Sequence, residues 1–254
     1  MKQLFFILLL AFASPVFSQN NEGVVSYTVE VQNPRAAEIR ARMKERGMNF
    51  DIPDVNTSSM NLYFNNSESI FREKPKEEEA YEGREIGSGG NVRFRFWGAG
   101  GSMNGYYRTL GSTAYLQEKD IMGKKFLVED EERKYEWKIT GRTEQLGQYQ
   151  VIEAMTINDV DTIQAWFTPQ IPVSSGPDSY SQLPGLILRV DVNQGKKMIY
   201  ATNIDIRPLT EEEVIEKPKK GKKVTREDFE KMRAEKMEEM KEMYGEERAR
   251  RWMD

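Results

Sequence analysis

The chain has 254 residues, 38% of them hydrophobic, with a net charge of −4, no histidine and no cysteine. The two missing residue types exclude a Ser–His–Asp triad, a Cys–His pair, histidine-ligated zinc and any disulfide. The acidic balance argues against a nucleic-acid binder, which needs a basic footprint.

Residues 1–18, "MKQLFFILLLAFASPVFS", read as a secretory signal peptide. Lys2 precedes an apolar core from Leu4 to Ala13, and Val16 and Ser18 suit a cut after residue 18. No cysteine follows, which excludes a lipid-anchored lipoprotein. Removal of 18 residues from 254 leaves 236, enough for one large core, and no later segment reaches the roughly 20 apolar residues of a membrane-spanning helix.

The body then alternates apolar and polar residues with the period of a pleated strand. One face collects Val25, Tyr27, Val29 and Val31; then Met60, Leu62 and Phe64; then Val92, Phe94 and Phe96. Further on come Tyr149, Val151, Met155 and Ile157; Ile163, Ala165 and Phe167; Leu186, Leu188, Val190 and Val192; and Met198, Tyr200, Ile204 and Ile206. Turn chemistry near Ser67, Gly123, Asp159 and Gly195 separates strands, and 75–91 reads as a polar, glycine-rich loop. A proline start and glycine end predict a short helix over about 35–47. Residues 208–224 read as a charged linker, and 225–254 as a charged, Met-rich C-terminal helix (about 225–252) capped by Thr225, with Phe229, Met232, Met240 and either Met243 or Tyr244 near one face.

Two helices with thin apolar stripes cannot roof seven or more greasy strands. The expected fold is therefore mainly β: an antiparallel curved sheet forming a half-open barrel over residues 19–207. Its interior is either packed or a dry groove that shelters an apolar ligand.

Candidate chemistry is sparse. The clusters "GSGG" and "WGAGG" lack the ending and context of a phosphate loop, and "NDVDT" lacks the glycine and glutamate of a calcium loop. No cofactor and no metal site is expected. The methionines of the C-terminal helix suit pliable packing better than copper. Candidate binding residues are Trp137, Tyr149, Trp166 and Tyr180, aromatics able to stack on a lipid, peptide or sugar, and Glu153, placed by alternation on the dry face. A glutamate there needs a partner, a raised pKa or a place at the barrel mouth. Trp166 falls opposite the apolar set of its strand, beside Gln164.

The stretch "AWFTPQIPVSSGPDSYSQLPGLILRV" (165–190) resembles the GLPGLI family of exported proteins. Leu183, Pro184, Gly185, Leu186 and Ile187 match its hexapeptide, with Gln182 where the leading glycine is expected; Gly176 and Pro177 also match. Members often carry a cysteine and a lysine where this chain has Val151 and Glu153, so no role of that cysteine transfers. The resemblance implies an exported, mainly β protein of the cell envelope and transfers no activity; the expected location is the periplasm, with the cell surface and secretion as alternatives. The proline and glycine of the motif are expected to bend the chain sharply into a buried strand. The expected function is non-enzymatic: binding of an apolar ligand, lipid or unfolded peptide segment, in the half-barrel. The alternative is a packed interaction module that docks to an outer-membrane transporter or assembly through its C-terminal helix.

Overall fold

The computed structural model describes residues 21–48, 52–74, 104–158 and 160–244. Among these, twelve strands form one sheet. They are β1 (Gly23–Gln32), β2 (Val55–Phe64), β3 (Glu68–Glu73), β4 (Asn104–Thr109), β5 (Ala114–Ile121), β6 (Lys124–Glu131), β7 (Lys138–Leu146), β8 (Tyr149–Ile157), β9 (Thr162–Thr168), β10 (Leu186–Val192), β11 (Lys197–Ile206) and β12 (Lys222–Val224). Helix α1 (Ala36–Glu45) follows β1, and α2 (Arg226–Tyr244) follows β12. The strand order is β12-β6-β5-β4-β3-β2-β1-β11-β10-β9-β8-β7. All pairs are antiparallel except β12 with β6. β1 joins two meanders, pairing with β2 on one side and β11 on the other.

The connection from β6 to β7 proves that this sheet curls. The two strands stand ten intervals apart in the order, or about 48 Å across a flat sheet at roughly 4.8 Å per interval. Residues 132–137 must bridge that gap, and a chain from 131 to 138 reaches about 25 Å at most. The ends of the sheet are therefore bent toward each other, yet β12 and β7 do not pair. The result is mainly β, curved and not closed.

One buried cluster lines the inner face, from Phe126 and Val128 on β6 through Phe71, Leu62 and Tyr27 to Ile199, Val190 and Ala165. β1, β2 and β9 bury the residues that alternation selects. Three other strands differ, and bulges explain two of them. In β10 the register shifts between Ile187 and Arg189, so Ile187, Val190 and Val192 share the inner face with Phe167, Ala165 and Ile163. In β11 the shift opposite Ser26 and Tyr27 gives Ile199 and Ala201 the inner side, not Met198 and Tyr200. In β8 the pairing turns Ile152, Ala154 and Thr156 inward, while Ile157 is exposed. A one-residue slip reverses every side chain. Val92, Phe94 and Phe96 lie outside the described residues; the turns near Ser67 and Gly123 do join β2 to β3 and β5 to β6, but β3 to β7 show no alternation clear enough to mark them in the sequence.

The segment 208–224 is not a free linker. Leu209 and Ile215 pack on an outer-face cluster of Val24, Tyr63, Ile70, Tyr107, Leu116 and Leu127. The chain then adds β12 to the edge of β6 and turns over that edge. There α2 sets Phe229 edge-on to Phe126 of the inner face, with ring centroids 5.6 Å apart. Two apolar residues six apart in a charged run left little trace in composition, but they anchor a strap.

An ion-pair fork fixes the start of that strap. Arg207 donates to both carboxylate oxygens of Glu213, at 2.6 and 2.7 Å, and to Asp205 at 2.7 Å. The Arg207 hydrogen bonds outweigh burial and hold the Glu213 carboxyl down at about 2, against an ordinary 4.5. A lowered native pKa adds stability that is complete above about pH 4.5 and lost as pH falls toward 2. Urea midpoints measured from pH 5 to 2 should therefore fall more steeply for the native chain than for Glu213→Gln; equal slopes would show the fork contributes nothing.

Candidate functional site

The groove of the half-barrel is occupied by the protein's own chain. Residues 169–185, between β9 and β10, fold down across the inner face, and Ile171, Val173, Tyr180 and Leu183 join its buried cluster. Polar contacts fix the position. Ser69 Oγ on β3 lies 2.9 Å from Ser175 Oγ in the buried interior. Arg108 on β4, only 3% exposed, donates through Nη1 to the Tyr180 carbonyl at 3.1 Å and through Nη2 to the Asp178 carbonyl. Its Nε stands 3.2 Å from Glu132 Oε1, and Glu132 Oε2 accepts from Ser181 Oγ at 3.0 Å. Just beyond the segment, in β10, the Ile187 carbonyl accepts from Tyr27 Oη at 2.6 Å. This segment is a plug.

The GLPGLI-like motif is a bend that lets the plug return to the sheet. Gly185 has φ +151°, and a Cβ there would stand 2.1 Å from the Thr168 carbonyl oxygen of β9. At Gly176 a Cβ would meet Ile187 Cβ and the Tyr180 oxygen at 2.8 Å. Pro177, Leu183, Leu186 and Ile187 are buried, whereas Pro184 is exposed. Gln182 has φ +69°, a backbone that favours the glycine expected there. The glutamine instead uses its amide: Nε2 donates to the Arg133 carbonyl at 2.7 Å, and Oε1 accepts from Tyr135 N at 3.1 Å.

The five candidate binding residues fall in separate places. Trp137 and Tyr180 flank the plug: Trp137 Nε1 donates to the Ser181 carbonyl at 2.8 Å, and Tyr135 stacks on Trp137 and leans on Tyr180. Trp166 and Glu153 are cross-strand partners on the outer face, so Glu153 is not on the inner side. Trp166 lies under the Arg189 guanidinium, 3.7 Å from ring centroid, and Arg189 reaches Glu144 at 2.6 Å. Glu153 is 1% exposed rather than at an opening. It accepts from Thr140 Oγ1 and Arg142 Nε, both at 2.6 Å, across an irregularity of β7 centred on Gly141 (φ +79°). Tyr149 is half-buried by the β7–β8 turn, with Gln148 Nε2 at 3.1 Å from its hydroxyl. Each lies against other residues of the protein itself.

Sequence reasoning missed Arg108, Glu132, Asp178 and Arg142. A parity signal existed for the first: Tyr106 and Arg108 share the inner face two residues apart, but β4 was not recognised as a strand. Asp178 has φ +54° and bonds Lys197 Nζ at 2.9 Å. Burial by itself would raise its carboxyl, but Lys197, then Arg108 and Lys119, outweigh burial and hold it below the usual range. Burial pushes the Tyr27, Tyr106 and Tyr180 phenols far above their ordinary value, so all three remain protonated. In "NDVDT", Asp161 Oδ1 accepts from Asn193 Nδ2 at 2.6 Å and Asn158 caps the turn; Asp159 lies outside the described residues. Among the described residues, no group of three or more carboxylates is placed to hold a metal ion.

A family described as "Protein of unknown function (Porph_ging)" matches residues 155–189. The matched stretch is the plug and the strands that hold it. No curated protein matches the chain. Two solved structures of PNGF-II, in C2 and P21 space groups, superpose with TM-scores of 0.52 and 0.54 at 16% identity. They cover 83% of this chain but 32% and 33% of PNGF-II, so the chain spans about a third of that protein's length. An uncharacterized conserved protein from Thermus thermophilus superposes with a TM-score of 0.38 at 8% identity, over 81% of this chain and 90% of that one. The likeness to PNGF-II shows the fold alone.

Proposed function

We propose that this chain is an exported, non-enzymatic envelope protein of the GLPGLI type that acts as an interaction module with a packed interior. The observation that carries this reading is the plug: residues 171–183 fill the space an apolar guest would need, held by Arg108 and Ser69. Export is supported by the signal-like residues 1–18, and the GLPGLI type by the fit of residues 183–187 inside the matched stretch 155–189. A carrier of lipid or unfolded segments is the second reading, and it requires the plug to leave.

The partner is an outer-membrane transporter or assembly, met by the far end of α2. Phe229 and Met232 turn the helix's apolar stripe onto the inner-face cluster, Met240 is buried, and the same stripe continues to Met243, which is 61% exposed. Gently purified protein should give an unliganded mass in native mass spectrometry and take up no fluorescent fatty acid. Stoichiometric lipid would reinstate the carrier. Crosslinking in envelopes should capture an outer-membrane protein, and Met243→Glu should abolish capture without altering the melting curve; capture that survives the substitution removes α2 as the contact.

A further inference from the structure

One corner of this acidic protein is strongly basic. Lys217, Lys219, Lys220, Lys222 and Lys223 fall within seven residues of the strap, and Lys124 and Lys125 begin β6; all seven are exposed. The fold presses these two runs together. Gly221 (φ +116°) lies so close to β6 that a Cβ would stand 2.7 to 2.9 Å from the backbone N, Cα and C of Phe126. Lys220 and Lys222 flank that glycine, and Lys125 adjoins Phe126, so their Cα atoms lie within about 8–10 Å of each other. Lys222 pairs directly with Phe126, two residues from Lys124.

Neutralisation here is partial. Lys223 pairs with Glu129 at 2.9 Å, Lys125 stands opposite Asp120 across β5 and β6, and Glu216 adjoins Lys217, which leaves seven lysines against three carboxylates. Among the described residues, Lys124, Lys125, Lys219, Lys220 and Lys222 have no ion-pair partner. Beside them, at the β5–β6 turn, Met122 is 46% exposed. Lysines on an edge strand also discourage strand addition. That accounts for Lys222 and Lys223, but not for the lysines before β12, the pair at the start of β6, or an apolar tip among them.

We propose that this corner docks to an anionic phospholipid surface. Every cation in it is lysine, a compact point charge suited to a diffuse field of phosphates; a specific carboxylate or phosphopeptide partner would favour the arginine fork. Met122 supplies the apolar contact that reaches into the headgroup layer. Met243→Glu and the lysine substitutions below test the two surfaces separately.

The full-length mature chain would be floated with phosphatidylcholine vesicles and with vesicles containing about one-third phosphatidylglycerol. Binding should require the anionic lipid and disappear near 0.5 M salt, where screening shortens to a few ångströms. Each lysine near such a surface is worth about fivefold in partition, so Lys219→Gln/Lys220→Gln/Lys222→Gln should bind about a hundredfold more weakly. Met122→Ser should weaken binding less. These exposed positions lie outside the core, so an unchanged melting curve is the control. Equal partition by the triple variant, indifference to the anionic lipid, or tighter binding to polyglutamate than to vesicles would each overturn the proposal, the last by naming an acidic polypeptide as the occupant.

Discussion

Replacing Arg108 by alanine should cost about 4 kcal/mol, the middle of the range for removing one partner of a buried ion pair. The guanidinium meets three groups: the Asp178 and Tyr180 carbonyls of the plug and the carboxylate of Glu132. The Arg108 side chain is 3% exposed and that of Glu132 is 7% exposed, so water cannot replace the lost contacts. Glu132 would be left as a buried charge with only Ser181 Oγ on its other oxygen, and two carbonyls would lose donors. For a chain of this size each kcal/mol lowers Tm by roughly 2–4 °C, so a fall on the order of 10 °C is expected. Urea and thermal melts read this directly. The paired replacement Arg108→Met with Glu132→Leu should recover part of the loss, because a buried pair removed whole leaves no orphaned charge. A single-variant cost below about 1 kcal/mol would mean that apolar packing alone seats the plug.

The curl of the sheet was legible from the sequence because it rests on area: too many alternating strands, too little helix. The phase of individual strands was less legible. A bulge adds one residue and inverts everything after it, and neither the one after Ile187 in β10 nor the irregularity in β11 carries a glycine or proline to announce it. Strands β3 to β7 escaped because their alternation is diluted. β7 is exposed along almost its whole length, so it has no dry face to betray it, while β5 and β6 mix lysine and glutamate with three buried anchors each. The strap failed for the opposite reason, its two apolar anchors being swamped by charge.

The candidate site was half legible. Trp137 and Tyr180 were selected as aromatics, and they do meet at the plug, but against the protein's own backbone. Glu153 was flagged by parity, and parity failed it: the β8–β9 register puts it with Trp166 on the outer face. It is buried there because Arg142 and Thr140 close over it from β7. Long-range pairing decided both outcomes, and a single sequence carries no direct signal of which strand lies beside which.

Gly185→Ala should be the most damaging change to the matched stretch, at about 4 kcal/mol. Two costs add. The φ of +151° is open to glycine and strained for other residues, at roughly 1–3 kcal/mol. The new methyl would also stand 2.1 Å from the Thr168 carbonyl oxygen and 2.7 Å from its carbon, backbone atoms held in the β9–β10 ladder, so relief requires moving two strands, at roughly another 1–3 kcal/mol. Gly147→Ala separates these effects. It has φ +58° but no atom within 4 Å of the added carbon, so it carries the conformational cost alone, about 1 kcal/mol. Pro184→Ala, at an exposed position beside the bend, should cost less still. The ranking Gly185, then Gly147, then Pro184 in urea midpoints tests the claim that the motif's glycine exists for a close backbone approach. If Gly185→Ala proves no worse than Gly147→Ala, the bend owes its glycine to φ alone, and the tight seat of the plug against β9 is not what fixes it.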